Sequence, residues 1–255
     1  MADVARPRLG RNVIALGVVS FLTDVSSEMI YPLLPVFLAA VLGANASFIG
    51  AIEGAAETTA ALLKLASGWW SDRVRRRKPL VVLGYGIASV ARPLVAIAQS
   101  ASQVLVIRVS DRVGKGIRNA PRDALIAESV DPSIRGRAFG YHRAMDNAGG
   151  ILGPLIAFAV LTWHFAAIRT VFWLAAIPAV LSLLVLMVFV RDVPRPARAA
   201  APGLDLSQPL GKRFWSVMGV ILLFALVNST DAFLLLRESQ LGVPVALAPI
   251  LWAAL

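Results

Sequence analysis

Long apolar stretches alternate along the chain with short segments of charged or turn-forming residues, the pattern of helices that cross a bilayer. A hydrocarbon core about 30 Å thick takes about 20 apolar residues per helical crossing. On that scale the sequence predicts crossings near residues 12–42, 47–70, 79–99, 104–126, 138–162, 170–190 and 214–236, and an eighth that begins near Val245. The expected fold class is all-α, a polytopic membrane helix bundle. A run led by Arg6, Arg8 and Arg11 has the outline of a secretory signal. It continues to about Leu42 and contains Asp24, Glu28, Pro32 and Pro35, so the first helix is expected to stay in the mature protein.

Hydrophobic residues make up 58% of the chain, above the ~45–50% usual in soluble domains, and the excess must face lipid. A formal net charge of +10 would point to nucleic acid in a soluble protein. Here the basic residues collect at alternate connections, as Lys and Arg do on the cytoplasmic side of a membrane. Arg6, Arg8 and Arg11 precede the first crossing, and Arg73, Arg75, Arg76, Arg77 and Lys78 follow the second. Arg135 and Arg137 follow the fourth, and Arg191, Arg195, Arg198, Lys212 and Arg213 follow the sixth, whereas the intervening connections hold only Arg169 and Arg237. The expected arrangement is a multi-pass protein of the plasma (inner) membrane with a cytoplasmic N-terminus. Its expected partners are the lipid bilayer, a small-molecule substrate and protons, not nucleic acid.

Proline, alanine and scattered charge set apart residues 191–213, which read as a cytoplasmic linker. The expected organisation is a six-helix half over 1–190, the linker, and over 214–255 the first helix and the start of the second helix of another half, apparently cut short. Leu241-Gly242 before an apolar run echoes Leu42-Gly43 before Ala44 to Ala56, by internal duplication or by coincidence.

Ionisable residues inside the crossings each cost roughly 2.5–3.5 kcal/mol if they face lipid at mid-membrane. About a dozen of them would together exceed the ~5–15 kcal/mol that holds a typical fold. They must line a wet cavity or pair within the bundle. At ~100° per residue, Arg108, Asp111, Arg112, Lys115, Arg118 and Arg122 fall in one stripe about 120° wide. Glu53, Glu57 and Lys64 share a face of the second crossing, and Asp24 and Glu28 stack in the first with Tyr31 nearby. His142, Asp146, Gly149 and Gly153 line one side of the fifth. The sixth carries no charge and the third only Arg92, so these two are expected to be peripheral around a core of the first, second, fourth and fifth. Two carboxylates four residues apart in a partly dry site repel, which makes Glu53 and Glu57 the first candidates for carrying protons, followed by Asp24 and Glu28. Tyr31, Arg108, Asp111, Arg112, Lys115 and Asp146 are candidates for a substrate cavity. Buried arginines suggest an anionic or zwitterionic substrate, although the carboxylates nearly balance them. A network of ion pairs that only fixes packing is the other reading of these faces.

The segment from Gly68 through Asp72 and Arg73 to Arg76, Arg77 and Lys78, between the second and third crossings, resembles the signature loop of the major facilitator superfamily, with Arg75 in place of its second glycine. Gly149, Gly153 and Pro154 are similar to the motif of that family's antiporters, and spacing of small residues by four also serves helix packing. The family's fourth-helix arginine motif is partly matched by Arg112 and Gly116, with Arg108 an equal counterpart. The stretches Phe21 to Glu28 and Asp111 to Arg118 resemble a prokaryotic branch. The resemblance implies twelve helices in two six-helix halves, a substrate site between them, and alternating access by rocking. It implies a cytoplasmic gate at Gly68, Asp72, Arg73, Arg76 and Arg77, with Asp123 as the partner. The expected function is secondary active transport of a small solute, coupled to protons.

The absence of cysteine excludes disulfides, thiolate metal sites and cysteine nucleophiles. There are two histidines, His142 and His164, and Gly114-Lys115-Gly116 lacks the upstream glycine and the following Ser or Thr of a phosphate loop. No enzyme, metal or cofactor is expected. Nothing resembles a repeated selectivity filter, and a non-transporting membrane scaffold or receptor is the remaining alternative.

Overall fold

A computed structural model describes residues 9–163, 167–193, 211–227 and 230–254. Arg6, Arg8, His164 and most of the expected linker, with Arg195 and Arg198, lie outside them. The helices are α1 (Arg11–Val41), α2 (Ala46–Arg73), α3 (Lys78–Leu94), α4 (Ala101–Glu128), α5 (Arg135–Trp163), α6 (Ile168–Phe189), α7 (Lys212–Val227), α8 (Ala232–Gln240) and α9 (Ala248–Ala254). No strand occurs among the described residues.

Local chemistry accounts for the ends and breaks. The side chain of Asn45 accepts from Phe48 N–H at 2.8 Å and that of Ser100 from Gln103 N–H at 3.3 Å, capping α2 and α4. Pro32 and Pro35 cannot donate to the helical ladder. Beyond Ile30, α1 accordingly passes through a 3-10 turn (Tyr31–Leu33) and a short α turn, and ends in a π turn over Phe37–Val41. Pro178 likewise leaves the Leu174 carbonyl without its usual donor, and α6 is interrupted at Ala175. The crossing expected over 214–236 is not continuous: α7 is described as far as Val227, Thr230 and Asp231 are not helical, and their carbonyls accept from Phe233 and Leu234 N–H in the new first turn of α8. The eighth segment begins as a 3-10 turn at Val245–Leu247 before α9.

By length and composition, four helices among the described residues qualify as spans: Arg11–Val41, Lys78–Ile97, Pro132–Trp163 and Ile168–Phe189. α2 and α4 have 28 residues each, about 42 Å at 1.5 Å per residue. They are long enough and fall short only in apolarity, because the charges expected to line a shared interior lie on them.

α1 packs chiefly on α5 and α6, and α4 lies between α2 and α3, with α6 also against α3. Two apolar layers form the core. One gathers Met29, Leu33, Phe37, Ile52, Val95 and Phe172, with the Phe37 and Phe172 rings edge to face at 5.3 Å. The other gathers Val13, Leu16, Val19, Tyr85, Ile126 and Leu186. Between them runs a buried polar belt that includes Thr23, Arg92, Arg108, Asp111, Arg112, Arg118 and His142.

The sequence echo has a backbone counterpart: Gly43 follows α1 at φ +67° and Gly242 follows α8 at φ +82°. No atom lies within 4 Å of a Cβ placed on Gly43, so Gly43→Ala isolates the backbone cost. The substitution is expected to lower stability by about 1–2 kcal/mol, read as a fall in the unfolding midpoint in detergent.

Candidate functional site

The belt is built from paired charges. Arg108 forks onto Glu53, Nε to Oε1 at 3.0 Å and Nη2 to Oε2 at 2.8 Å. One helical turn on, Arg112 Nη2 lies 3.0 Å from Glu57. The i,i+4 spacing of both residue pairs lets α2 and α4 meet twice along one seam. The seam is tight where Gly116 faces Ala60 and Leu63, and Ser67 Oγ donates to the Gly116 carbonyl at 2.7 Å. Asp111 takes Arg92 Nε at 2.9 Å on one oxygen and Tyr31 Oη at 2.8 Å on the other. Arg92 also donates to the Thr23 carbonyl at 2.8 Å. The Tyr31 ring lies under the Arg108 and Arg112 guanidinium groups at 3.9 and 5.1 Å. α3 is therefore not peripheral to the charge network as expected. The one charge within the expected third crossing, Arg92 in the last turn of α3, needs a partner and reaches inward to find it.

Two adjoining cavities open beside this network, about 600 and 430 Å³ in volume. They share Glu28, Lys115 and Trp252. Asp24, Arg118, Arg122 and Asp146 line the first, and Tyr31, Glu53, Glu57, Arg108 and Arg112 the second. α1, α2, α4 and α5 supply these walls together with α8 and α9, while α3 and α6 supply none of the lining residues. Trp252 donates its indole N–H to Glu28 at 2.7 Å. Sequence reading missed it, since a tryptophan at the far end of the chain carries no periodic signal.

The glycine pair of α5 sits against the acids of α1. A Cβ on Gly149 would lie 2.5 Å from the Phe21 carbonyl oxygen and 3.0 Å from Asp24 Cβ, and one on Gly153 would lie 2.7 Å from the Val25 carbonyl oxygen and 2.9 Å from Glu28 Cβ. Pro154 is buried beside them. A turn earlier on α5, Asp146 accepts from Ser20 of α1 and lies 3.4 Å from His142 Nδ1.

In the loop after α2, Arg77 is the inward-facing arginine. Its Nε donates to Ser71 Oγ at 3.0 Å, Nη2 lies 3.5 Å from Asp72, and Nη1 engages Glu128. Asp192 accepts from the backbone N–H groups of Arg77 and Lys78 at the start of α3, at 3.1 and 3.4 Å. Arg73 lies over the Trp69 ring at 3.7 Å and donates to the Trp69 carbonyl, and Arg76 is exposed. The expected partner Asp123 is instead bound by its neighbour Arg122 at 2.9 Å. The loop meets α4 about a turn and a half later, at Glu128, because α2 runs on to Arg73 before the chain turns. Gly68 faces Ala120 of α4.

Residues 16–255 match the family profile described as Major Facilitator Superfamily. An uncharacterized MFS-type transporter of Methanocaldococcus jannaschii is 36% identical over 232 residues, which are 91% of this chain and 58% of that protein. An uncharacterized protein of Mycobacterium tuberculosis is 30% identical over 99% of this chain and 66% of its own length. The chain thus spans about three fifths to two thirds of these relatives. Among solved structures, a bacterial homolog to the human lysosomal transporter Spinster, in its inward-facing and occupied conformation, superposes with a TM-score of 0.72 at 21% identity over 94% of this chain and 57% of that one. With a helical bundle walled around polar cavities, a profile match over nearly its whole length and an MFS-type relative at 36% identity, this multi-pass membrane chain belongs to the Major Facilitator Superfamily.

Proposed function

We propose that the whole protein moves a small solute by alternating access in exchange for, or together with, protons, and that Asp24 and Glu28 of α1 carry them. One observation supports this reading above others. The arginines that reach Glu53, Glu57 and Asp111 hold those carboxylates in ion pairs, while no ion pair is found at Asp24 or Glu28 among the described residues, though both line the larger cavity. A carboxylate clamped by arginine is already compensated. One without a cation in a partly dry site can exchange a proton as the cavity changes sides. Glu53 and Glu57, first in line on spacing alone, are better read as clamps that hold α2 to α4. Arg11, Arg73, Arg76, Arg135 and Arg137 at alternate ends favour a cytoplasmic N-terminus in the inner membrane. The loop residues Gly68, Asp72, Arg73, Arg76 and Arg77 then form the cytoplasmic gate, with Glu128 and Asp192 as the partners of Arg77.

In liposomes carrying the whole protein under an imposed pH gradient, Asp24→Asn and Glu28→Gln are each expected to cut proton movement, followed with an entrapped pH dye, by at least about tenfold, a barrier change of roughly 1.4 kcal/mol. Both variants should elute as folded protein. Undiminished movement in both removes the α1 acids from the mechanism, and no movement in the unaltered protein returns the scaffold reading.

A further inference from the structure

The larger cavity holds opposite charges on opposite helices. Arg92 and Arg108 are matched by Asp111 and Glu53, Arg112 by Glu57 and Arg122 by Asp123. Asp146 has Ser20, His142 and, at 3.7 Å, Arg143. Four charges on the wall then have no ion pair among the described residues: Asp24 and Glu28 on α1, and Lys115 and Arg118 on α4. Arg118 is 4% exposed, and its Nε and Nη1 are buried without an acceptor. Its guanidinium lies over the Tyr85 ring at 4.4 Å, a π face that supplies neither of those two donors with an acceptor. Buried guanidinium donors without acceptors are costly, and a ligand anion that draws the Arg118 side chain toward the cavity satisfies them. On the facing helix, Glu28 accepts the neutral indole N–H of Trp252, a donor that an arriving cation displaces.

We propose that the solute is a zwitterion, its cationic group bound at Asp24 and Glu28 of α1 and its anionic group at Lys115 and Arg118 of α4, with the Trp252 indole beside the cationic end. The proposal rests on the reading that this cavity is the transport site. A solute of single charge compensates one wall and leaves the other as it was, whereas a zwitterion answers both and brings no net charge into the membrane interior. A cavity of about 600 Å³ lies within the range of small-molecule sites. Because the cationic group lands on the two acids assigned to protons, its arrival releases them into the medium.

The test uses the whole protein in lipid nanodiscs and isothermal calorimetry with ω-amino carboxylates of three to six carbons, alongside the alkylammonium and the alkyl carboxylate of each length. At least one ω-amino carboxylate is expected to bind, with both singly charged analogues of that length weaker by at least about tenfold. Asp24→Asn is expected to erase the advantage over the carboxylate, and Lys115→Gln or Arg118→Gln the advantage over the ammonium. Binding of a singly charged analogue as tight as that of its zwitterion, or no binding by any ω-amino carboxylate, overturns the proposal. The comparison among ligands is made on the unaltered protein, so it stands if Arg118→Gln fails to fold. Proton release, followed in weak buffer, separates the two readings. Zwitterion-selective binding without release keeps the substrate class and removes the protons from Asp24 and Glu28.

Discussion

Asp111→Ala is expected to leave little folded protein. Asp111 is 3% exposed and is the shared acceptor for Arg92 and Tyr31, with Arg108 Nη1 at 4.0 Å. Removing it strands Arg92 between two helices with the Thr23 carbonyl as its remaining acceptor. Breaking one side of a buried pair costs about 3–5 kcal/mol, because the surviving charge stays buried and uncompensated. Against a total of about 5–15 kcal/mol for a fold, that is a large share. The midpoint of thermal unfolding in detergent should fall by roughly 6–20 °C, and the monodisperse fraction on size exclusion should fall with it. Arg92→Met combined with Asp111→Leu should recover part of the loss, since the pair as a whole contributes far less than its severed half costs. A single Asp111→Ala variant that melts with the parent protein would show that the belt does not hold the helices together.

The second large effect concerns the contact between α1 and α5. Gly149→Val and Gly153→Val place a Cβ 2.5 Å and 2.7 Å from the carbonyl oxygens of Phe21 and Val25. The obstruction is backbone, so no rotamer relieves it and the helices must separate. Overpacking of this kind costs about 1–3 kcal/mol or more, and the separation also shifts Asp24 and Glu28, the residues in contact with the two glycines. The expected result is loss of pH-driven flux in liposomes together with a lower unfolding midpoint. Gly140→Ala on the same helix, where an added Cβ meets nothing within 4 Å, is the control and should match the parent. Parental flux in either valine variant would mean that the close approach has no part in positioning the acids.

Periodicity placed the helices and their charged faces well, because one angle per residue sorts side chains around an axis whatever the helix touches. The α4 stripe and the Asp24 and Glu28 stack were legible for that reason. What periodicity does not contain is the rotation and height of one helix against the next. Glu53 and Glu57 repeat the spacing of Asp24 and Glu28, yet among the described residues arginines come to ion-pair distance of the first pair and not of the second. Height accounts for the exchange of Asp123 for Glu128 as the loop's partner. Arg92 shows a related limit: a helix that is apolar except for one charge reads as an outer helix, although the energetic need of that charge for a partner pulls it inward. The break at Thr230 and Asp231 could have been read, since four polar residues in a row from Asn228 to Asp231 interrupt an otherwise oily run.

The proline-broken upper end of α1 limits how this bundle can deform. Below Ile30 the helix is regular and shares its surface with α5 at van der Waals range or closer, so the two behave as a single rod bearing Asp24 and Glu28. Above it, the 3-10 and π turns up to Val41 give up the uniform ladder that makes a helix stiff. Bending therefore concentrates in that neck. A bend there leaves the spacing of Asp24 and Glu28 as it is, because both lie in the regular part of α1.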